Sequence, residues 1–517
     1  MKEFSFPEYG TIEKKERQYT LSSDLPKAHI RIQNIEIENL KAVKHGKVEM
    51  FPVNKAGDLL GESNILALYG QNVSGKTTIV EAIYLLKTII TGGELPHNMH
   101  DYISVDAETA SIKTVFAKWI PGLEEVEYIT YFVGFAKDDS GVRLSHEMMS
   151  VNSRDLTGKL TKKTRKLFDT QSHDKVLNTS VVKVRIASPD KNDVREESYP
   201  KGTIFGDYDD HTGASAIFWE DLTNLSIVNF GEEPNDEWFI ISPNRYDYSA
   251  AISDFMQSSL FVAGANLFED TGLPICTRKG YLRLDDNGIL ITQTQKIAML
   301  EHSIAAINKA LSAIIPGLTL AMAYSMTRER INEINEERII NTQTENGFQI
   351  QIDEDVDNEV LVIFYTERNG KTIPFTNESE GIKKIVYSVD LFVNAFNDPG
   401  FTAVIDEYDA GVFEYLLGEL LQLFESHGKG QLIFTSHNLR PLELIDKSFV
   451  CFTTTNPSNR YIRLKYIGTT NNLRDVYFRQ LLIGEQDEEL YRKTKPYMLL
   501  EALEPVEDYH PGFVELL

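Results

Sequence analysis

Eight residues, Gly70-Gln71-Asn72-Val73-Ser74-Gly75-Lys76-Thr77, satisfy the spacing G-x-x-x-x-G-K-[ST] at every fixed position. Glycines at those places let backbone N–H groups converge on phosphate oxygens. Lys76 sets a positive charge beside the β and γ groups, and the Thr77 hydroxyl is a hard ligand for Mg²⁺. The chemistry is ATP binding and transfer of the γ-phosphoryl group to water, with Lys76 also a catalytic cation. Thr78 closes the binding stretch, as a helix residue rather than a ligand. A phosphate loop needs a carboxylate on the metal side, and Thr402 to Glu407, TAVIDE, offers two. Asp406 is expected to hold Mg²⁺, directly or through water, and Glu407 to polarise the attacking water as a general base. The alternative is an ordinary strand end with two solvated acids. A further apolar run, Gln431 to Phe434, ends in Thr435-Ser436-His437. A neutral His437 imidazole there could reach the γ-phosphate or the lytic water; a capping or core histidine is the other reading. In Asn377-Glu378-Ser379-Glu380-Gly381, a serine at a helix start is either an anion site or a plain N-cap.

These residues need elements that bring them together. The apolar run Asn64 to Tyr69, NILALY, enters the glycine loop, and TTIVEAIYLLKTII leaves it with helical spacing, giving strand, loop, helix. Upstream, HIRIQNIEIENL alternates apolar and polar positions and KHGKVEMF continues after a short turn, which predicts an antiparallel meander. From Ser379 to about Ile467, helical and apolar strand-like runs alternate, as in a parallel sheet covered by helices. Asp406 and His437 then arrive, with the glycine loop, at three strand ends that point at one crevice, where open α/β sheets bind their ligands. Residues 294–340 read mainly as helix, with a break at Pro316-Gly317 and the charged segment RERINEINEERII beyond it. That is too short for coiled-coil arms. GFQIQID and EVLVIFYTE read as two strands joined by an acidic turn, with Asp353-Glu354-Asp355 a solvated hairpin. Between about 100 and 290, aromatic strand-like runs such as VEYITYFVGF and EWFIISP alternate with polar turns, and no chemistry is assigned to them.

With 517 residues, 42% apolar and 25% charged, the chain has material for two or more globular units. No stretch approaches eighteen uncharged apolar residues, and the N-terminus lacks a secretory pattern, so a cytoplasmic protein outside the membrane is expected. Asp plus Glu number 77 against 52 Lys plus Arg, a formal charge of -25, which disfavours a broad nucleic-acid face while leaving local contact possible. Lys159, Lys162, Lys163, Arg165 and Lys166 form the clearest basic cluster, open to a phosphate backbone or acidic partner, or else a solvated hairpin flank. Cys276 and Cys451 stand apart from each other and from any metal-ligand spacing, and read as buried free thiols. His97, His100 and Asp101 suit either a metal site or a polar loop.

The order of these pieces resembles the ATPase heads of the ABC superfamily, in particular the SMC, RecF and OLD branch. NLKAVKHGKVEMF, NESEGIKKI and FTSHNLRPLELI carry the likeness. The resemblance implies an α/β P-loop NTPase head with a mixed sheet and an N-terminal antiparallel meander. A mixed, partly helical insertion would separate the glycine loop from the Ser-x-Gly signature. The units would be an extension over 1–28, an N-terminal lobe over 29–135, an insertion of unassigned role over 136–344 with its helical part at 294–340, a C-terminal lobe over 345–470 and an extension over 471–517. It further implies that Ser379 and Gly381 cap the γ-phosphate bound by an opposite subunit, so that ATP is sandwiched in a homodimer or higher even oligomer. Glu380 stands where ABC transporters have glycine, Asp409 falls at the dimer-contacting D-loop, and no Gln loop is located. OLD nucleases carry a TOPRIM domain, for which the residues after Ile467 are too few. Heads without one resemble the ATPase components of bacterial antiphage systems of the Septu, PARIS or AbiL type, which implies a separate effector, a nuclease or toxin. The alternatives are a RecF- or SMC-like DNA-repair ATPase and an OLD-like ATPase-nuclease with unrecognised nuclease residues.

Overall fold

The computed structural model describes residues 28–50, 64–90, 96, 98–138, 141–169, 182–187, 194–199, 227–229, 237–242, 251–252, 255–256, 259–263, 273–277, 280–284, 289–292, 294–325, 359–409, 412–464, 472–483, 487–492, 495 and 497–498. The N-terminal extension, His97, the charged segment after residue 327, GFQIQID with its acidic turn, and the last nineteen residues lie outside them, as does the side chain of Cys276.

Two sheets position the site. The first is a meander of six antiparallel strands in the order β2 (Val43–Glu49), β1 (His29–Leu40), β4 (Thr109–Trp119), β5 (Glu125–Asp138), β6 (Gly141–Asp155) and β7 (Leu160–Asp169). Half-buried alternation is seen in β4, where Ala110, Ile112 and Phe116 are buried and Ser111, Lys113 and Val115 between them are partly exposed. The sheet is continuous through residues 135 and 136 as far as Asp169, so the strands that follow the first lobe extend one surface. The basic cluster lies on β7, where Lys162 pairs with Glu125 of β5 at 2.8 Å.

The second sheet runs β12 (Leu260–Ala263), β19 (Thr402–Ile405), β20 (Gln431–Thr435), β3 (Asn64–Tyr69), β21 (Val450–Thr453) and β22 (Tyr461–Ile462). All its pairings are parallel except β21 with β22. Strands β3, β19, β20 and β21 are buried at every position, which is why they read as unbroken apolar runs. Between the two sheets lies α1 (Lys76–Ile90), buried on most of its circumference and sharing one core with Ile35 and Ile37 of the meander and Val404 and Ile433 of the parallel sheet. A buried glutamine joins the layers. Gln431 accepts from the N–H of Ile32 at 3.0 Å and donates to the Ile32 carbonyl at 2.8 Å and to Asn64 Oδ1 at 2.9 Å.

Strand β12 comes from within the stretch expected to be an insertion, yet it pairs with β19 from Leu260–Thr402 to Ala263–Ile405. Four residues are too few to show a periodicity. Two smaller sheets accompany it, one of β8 (Val182–Ala187), β9 (Val194–Tyr199), β10 (Ile227–Asn229) and β11 (Glu237–Ser242), the other the hairpin β13 (Leu273–Thr277) and β14 (Gly280–Leu284).

The expected break at Pro316-Gly317 is present, and the helical reading is corrected over 318–325. Helix α2 (Thr294–Ile314) stops before Pro316-Gly317, and Leu318–Ser325 is a strand, β16. Gly317, at φ +84°, reverses the chain in a conformation suited to glycine. LTLAMAYS then pairs over eight residues with β17 (Glu359–Arg368), a partner invisible to local helix propensity. Asn308 of α2 fixes that strand by accepting from Leu320 N–H at 2.6 Å and donating to its carbonyl at 2.7 Å. β15 (Ile289–Thr292) and β18 (Lys371–Pro374) complete this sheet against β17. Helix α3 (Glu380–Asn397) shares a core with α2 through Ile307, Leu311, Val386 and Val389. The remaining helices are α4 (Glu414–His427) and α5 (Leu473–Ile483).

Candidate functional site

The glycine loop joins β3 to α1, and its shape follows from what stands behind it. Gly70 has φ +154°, and a Cβ there would fall 1.8 Å from Thr453 Oγ1 of β21, so the position excludes any side chain. Gly75 has φ +87°. Ser74 Oγ lies 2.6 Å from the Gln71 carbonyl and hydrogen-bonds Thr453 Oγ1, which in turn lies 3.2 Å from the Tyr69 carbonyl, so two hydroxyl protons are shared among three contacts. The buried Tyr461 hydroxyl of β22 donates to the Gly75 carbonyl at 2.6 Å. Arg460 donates to the carbonyls of Thr454 at 2.6 Å and Ala42 at 2.5 Å. Asn72 and Val73 form the open tip, with Val73 88% exposed at φ +63°. Gln71 Oε1 accepts the backbone N–H of Arg492 at 3.0 Å, which brings the C-terminal region onto the loop.

Lys76 is buried at the start of α1, and its Nζ donates to the carbonyls of Gly70 and Gln71, each at 2.9 Å. Burial lowers its pKa, opposed by the charges of Asp406, Glu407 and Asp409. Thr77 Oγ1 lies 3.4 Å from Asp406 Oδ1, across 329 positions of sequence. Thr78 is buried within the helix.

Asp406 follows the last residue of β19 and is 4% exposed. Its N–H donates to the Ala263 carbonyl of β12 at 2.7 Å, and its Oδ1 accepts from the hydroxyl of Thr435, the last residue of β20. Glu407 has φ +48°, and its N–H donates to Thr435 Oγ1 at 2.7 Å. His437 is exposed two residues beyond β20. Desolvation, then the Lys76 charge, lower its pKa below the ordinary 6.5, so the imidazole is neutral at pH 7.

The ends of β3, β19 and β20 and the start of α1 thus bring Lys76, Thr77, Asp406, Glu407 and His437 close together. Ser379 and Gly381 belong to the start of α3. Ser379 caps α3, its exposed Oγ accepting from Ile382 N–H at 3.4 Å, and Gly381 is half-buried in the first turn. Among the described residues no hydrogen bond joins either of them to the glycine loop, Asp406 or His437.

The donor set fits Mg²⁺. A hydroxyl and a carboxylate oxygen converge beside the glycine loop, and Mg²⁺ takes one or two protein oxygens with phosphate and water completing its shell. His100 and Asp101 pair at 2.8 Å on an exposed turn, and no cluster of three or more His, Cys, Asp or Glu suited to a metal occurs among the described residues. Cys451 is buried and free, with its thiol pushed up to about 11.

Sequence reasoning missed Thr435 as a site residue, the loop supports Thr453, Tyr461 and Arg460, and the end of β12 beside Asp406. Thr435 stood in view two positions before the histidine. The others carry no local signal, because their role exists only once β21, β22 and β12 are placed in the sheet.

No protein-family model matches the chain, and no curated protein does. Among solved structures it is similar to an SmcHead bound to the C-winged helix domain of ScpA, at 14% identity over 84% of this chain and 97% of that one, TM-score 0.35. It is also similar to the recombination mediator protein RecF-ATPrS in the RecFOR pathway, at 12% identity over 84% and 98%, TM-score 0.35. A third is the SMC head domain from Thermotoga maritima, at 12% identity over 84% and 100%, TM-score 0.30.

Proposed function

We propose that this chain binds ATP with Mg²⁺ and hydrolyses it to ADP and phosphate, as an ABC-type head of the SMC, RecF and OLD kind. The observation that carries the reading is the approach of Thr77 Oγ1 to Asp406 Oδ1, 3.4 Å apart at the ends of two parallel strands with Lys76 beside them. Two solvated acids at an ordinary strand end would have no reason to meet a glycine loop and its lysine.

In this mechanism the N–H groups of Gly70 to Thr77 surround the phosphates, and Lys76 exchanges its two carbonyl partners for phosphate oxygens. Thr77 and Asp406 would hold the metal, and the chemistry supplied there would be neutralisation of charge on the transferring phosphoryl group. Glu407 orients the attacking water and takes its proton, and His437, neutral at pH 7, donates a hydrogen bond at the γ-phosphate.

The functional setting is a homodimer or higher even oligomer in which Ser379 and Gly381 of one copy close on the nucleotide of another. Ser379 supports this by lying exposed at a helix start, where N–H groups favour an anion. The nucleotide state is read by a separate effector, a nuclease or toxin, in antiphage defence within the cytoplasm. A charge of -25 fits a protein partner better than a broad nucleic-acid surface, and no described helix is long and apolar enough to cross a membrane. The test is calorimetry with ATP and Mg²⁺ together with phosphate release. The chain should give both signals and Lys76→Ala neither; absence of binding heat in the unaltered chain sinks the reading.

A further inference from the structure

We infer that Thr435 is a positioning residue for hydrolysis, whose single hydroxyl sets both the metal-side carboxylate of Asp406 and the backbone that presents Glu407. The inference rests on the ATPase reading above and adds a residue to that site.

Thr435 is 1% exposed, and it makes three ties to three consecutive residues beyond β19. Its Oγ1 donates to Asp406 Oδ1, the same Oγ1 accepts the Glu407 N–H at 2.7 Å, and its carbonyl accepts the Tyr408 N–H at 3.0 Å. The polarity of this arrangement is fixed. A hydroxyl has one proton and the Glu407 N–H needs a lone pair, so the proton is committed to Asp406. A donor held on a buried carboxylate restrains its rotation, which a metal ligand requires. Thr77 also reaches Oδ1, but at 3.4 Å. Because Thr435 satisfies that oxygen, the Thr77 hydroxyl remains available to the metal.

The second tie concerns Glu407. A non-glycine residue at φ +48° is uncommon and persists where its surroundings determine it. Here the bonds from Glu407 N–H and Tyr408 N–H to one residue hold the turn on one side. The Tyr408 ring anchors the other, buried against Phe434 at 5.5 Å between centroids. The turn leaves Glu407 partly exposed between two buried neighbours, Asp406 and Tyr408. A glutamate that followed β19 in extended conformation would lack this placement. Since Thr435 lies two residues before His437, one strand end supports all three proposed groups.

The decisive comparison is Thr435→Val, which keeps the shape and removes the hydroxyl, against Thr435→Ser, which keeps the hydroxyl. Thr435→Ala replaces valine if that variant does not fold. Steady-state hydrolysis is measured over a Mg²⁺ titration, with ATP binding followed by calorimetry. Valine should lower kcat roughly 10- to 100-fold, the scale of losing hydrogen bonds to a charged group. It should also raise the Mg²⁺ concentration for half-maximal rate several-fold, while serine stays within about threefold of the unaltered chain on both. ATP affinity at saturating Mg²⁺ should change little in either. Wild-type kcat and Mg²⁺ dependence in folded Thr435→Val overturn the inference, as does serine impaired as severely as valine, which assigns the effect to packing. In both cases Lys76→Ala still abolishes turnover and the ATPase reading stands. An unaltered chain that neither binds nor hydrolyses ATP overturns that reading, and this role with it.

Discussion

Asp409 Oδ2 accepts two backbone N–H groups from the turn that carries the histidine, His437 at 3.2 Å and Asn438 at 3.0 Å. The family likeness places an inter-head contact at Asp409, whereas here its carboxylate works within the chain, tying the turn after β19 to the turn after β20. The tie runs opposite to that of Thr435, which reaches from β20 to β19. Asp409→Ala removes this shared acceptor and leaves two N–H groups to find water. The expected result is a kcat lowered about tenfold with ATP affinity kept, because no phosphate-binding group is touched. Phosphate release and calorimetry on the same preparation check this; equal loss of both would show that the loop, rather than His437, had moved.

His437 supplies a pH dependence. Its pKa lies below 6.5 because of desolvation and then Lys76, with Asp409, Glu407 and Asp406 pulling the other way. Proton NMR titration of the nucleotide-free chain should therefore find this imidazole titrating below the ordinary histidine range. Lys76→Met should move it up and Asp409→Ala further down. The unfolded chain binds this proton more readily than the folded one, so stability contributed by the neutral imidazole is present above about pH 6.5 and declines as pH falls toward the folded value. His437→Gln should lose that slope.

Behind the glycine loop, Glu81 of α1 pairs with Lys41, whose ammonium also lies 4.4 Å from the Tyr102 ring centroid. Burial raises the Glu81 pKa above 4.5, and Lys41 opposes the shift. Lys41→Met leaves a buried carboxylate without its cation. Full burial of both partners would make this cost about 3–5 kcal/mol; with Lys41 32% exposed, about 2 kcal/mol is expected. The variant raises the Glu81 pKa further, so its deficit is small below about pH 4.5, where Glu81 is protonated in both states, and grows as pH rises. Urea unfolding at acid and neutral pH reads the difference.

How much of this was legible in the sequence varies by element. Lys76 to Ile90 combined a fixed motif with a helical period, and TAVIDE and QLIFT were buried parallel strands, written as apolar runs that end in chemical groups. Such strands announce themselves because both faces are covered. LTLAMAYS did not, since its alanines, leucines and methionine favour helix in isolation and only its pairing with β17 makes it a strand. LFVA was too short to signal its place beside TAVI, and Thr435 looked like any β-branched residue in a strand. Tyr461 and Thr453 support the glycine loop from more than 370 positions away, a relationship that only tertiary structure creates.

The final prediction concerns association. If Glu407 acts on water and contributes little to nucleotide affinity, Glu407→Gln removes the base, keeps a side chain of similar size and leaves Lys76, Thr77 and Asp406 intact, so ATP should bind and persist. Persistent ATP should then hold two copies together through Ser379 and Gly381, seen as a doubling of mass in light scattering that requires ATP and Mg²⁺. Adding Ser379→Arg tests the geometry, because Ser379 is exposed and has no hydrogen bond to its own glycine loop. The bulky side chain should abolish the dimer while each copy still binds ATP. A Glu407→Gln chain whose mass is unchanged by ATP would confine the nucleotide to a single copy. Dimers that survive Ser379→Arg would place the contact somewhere other than the start of α3.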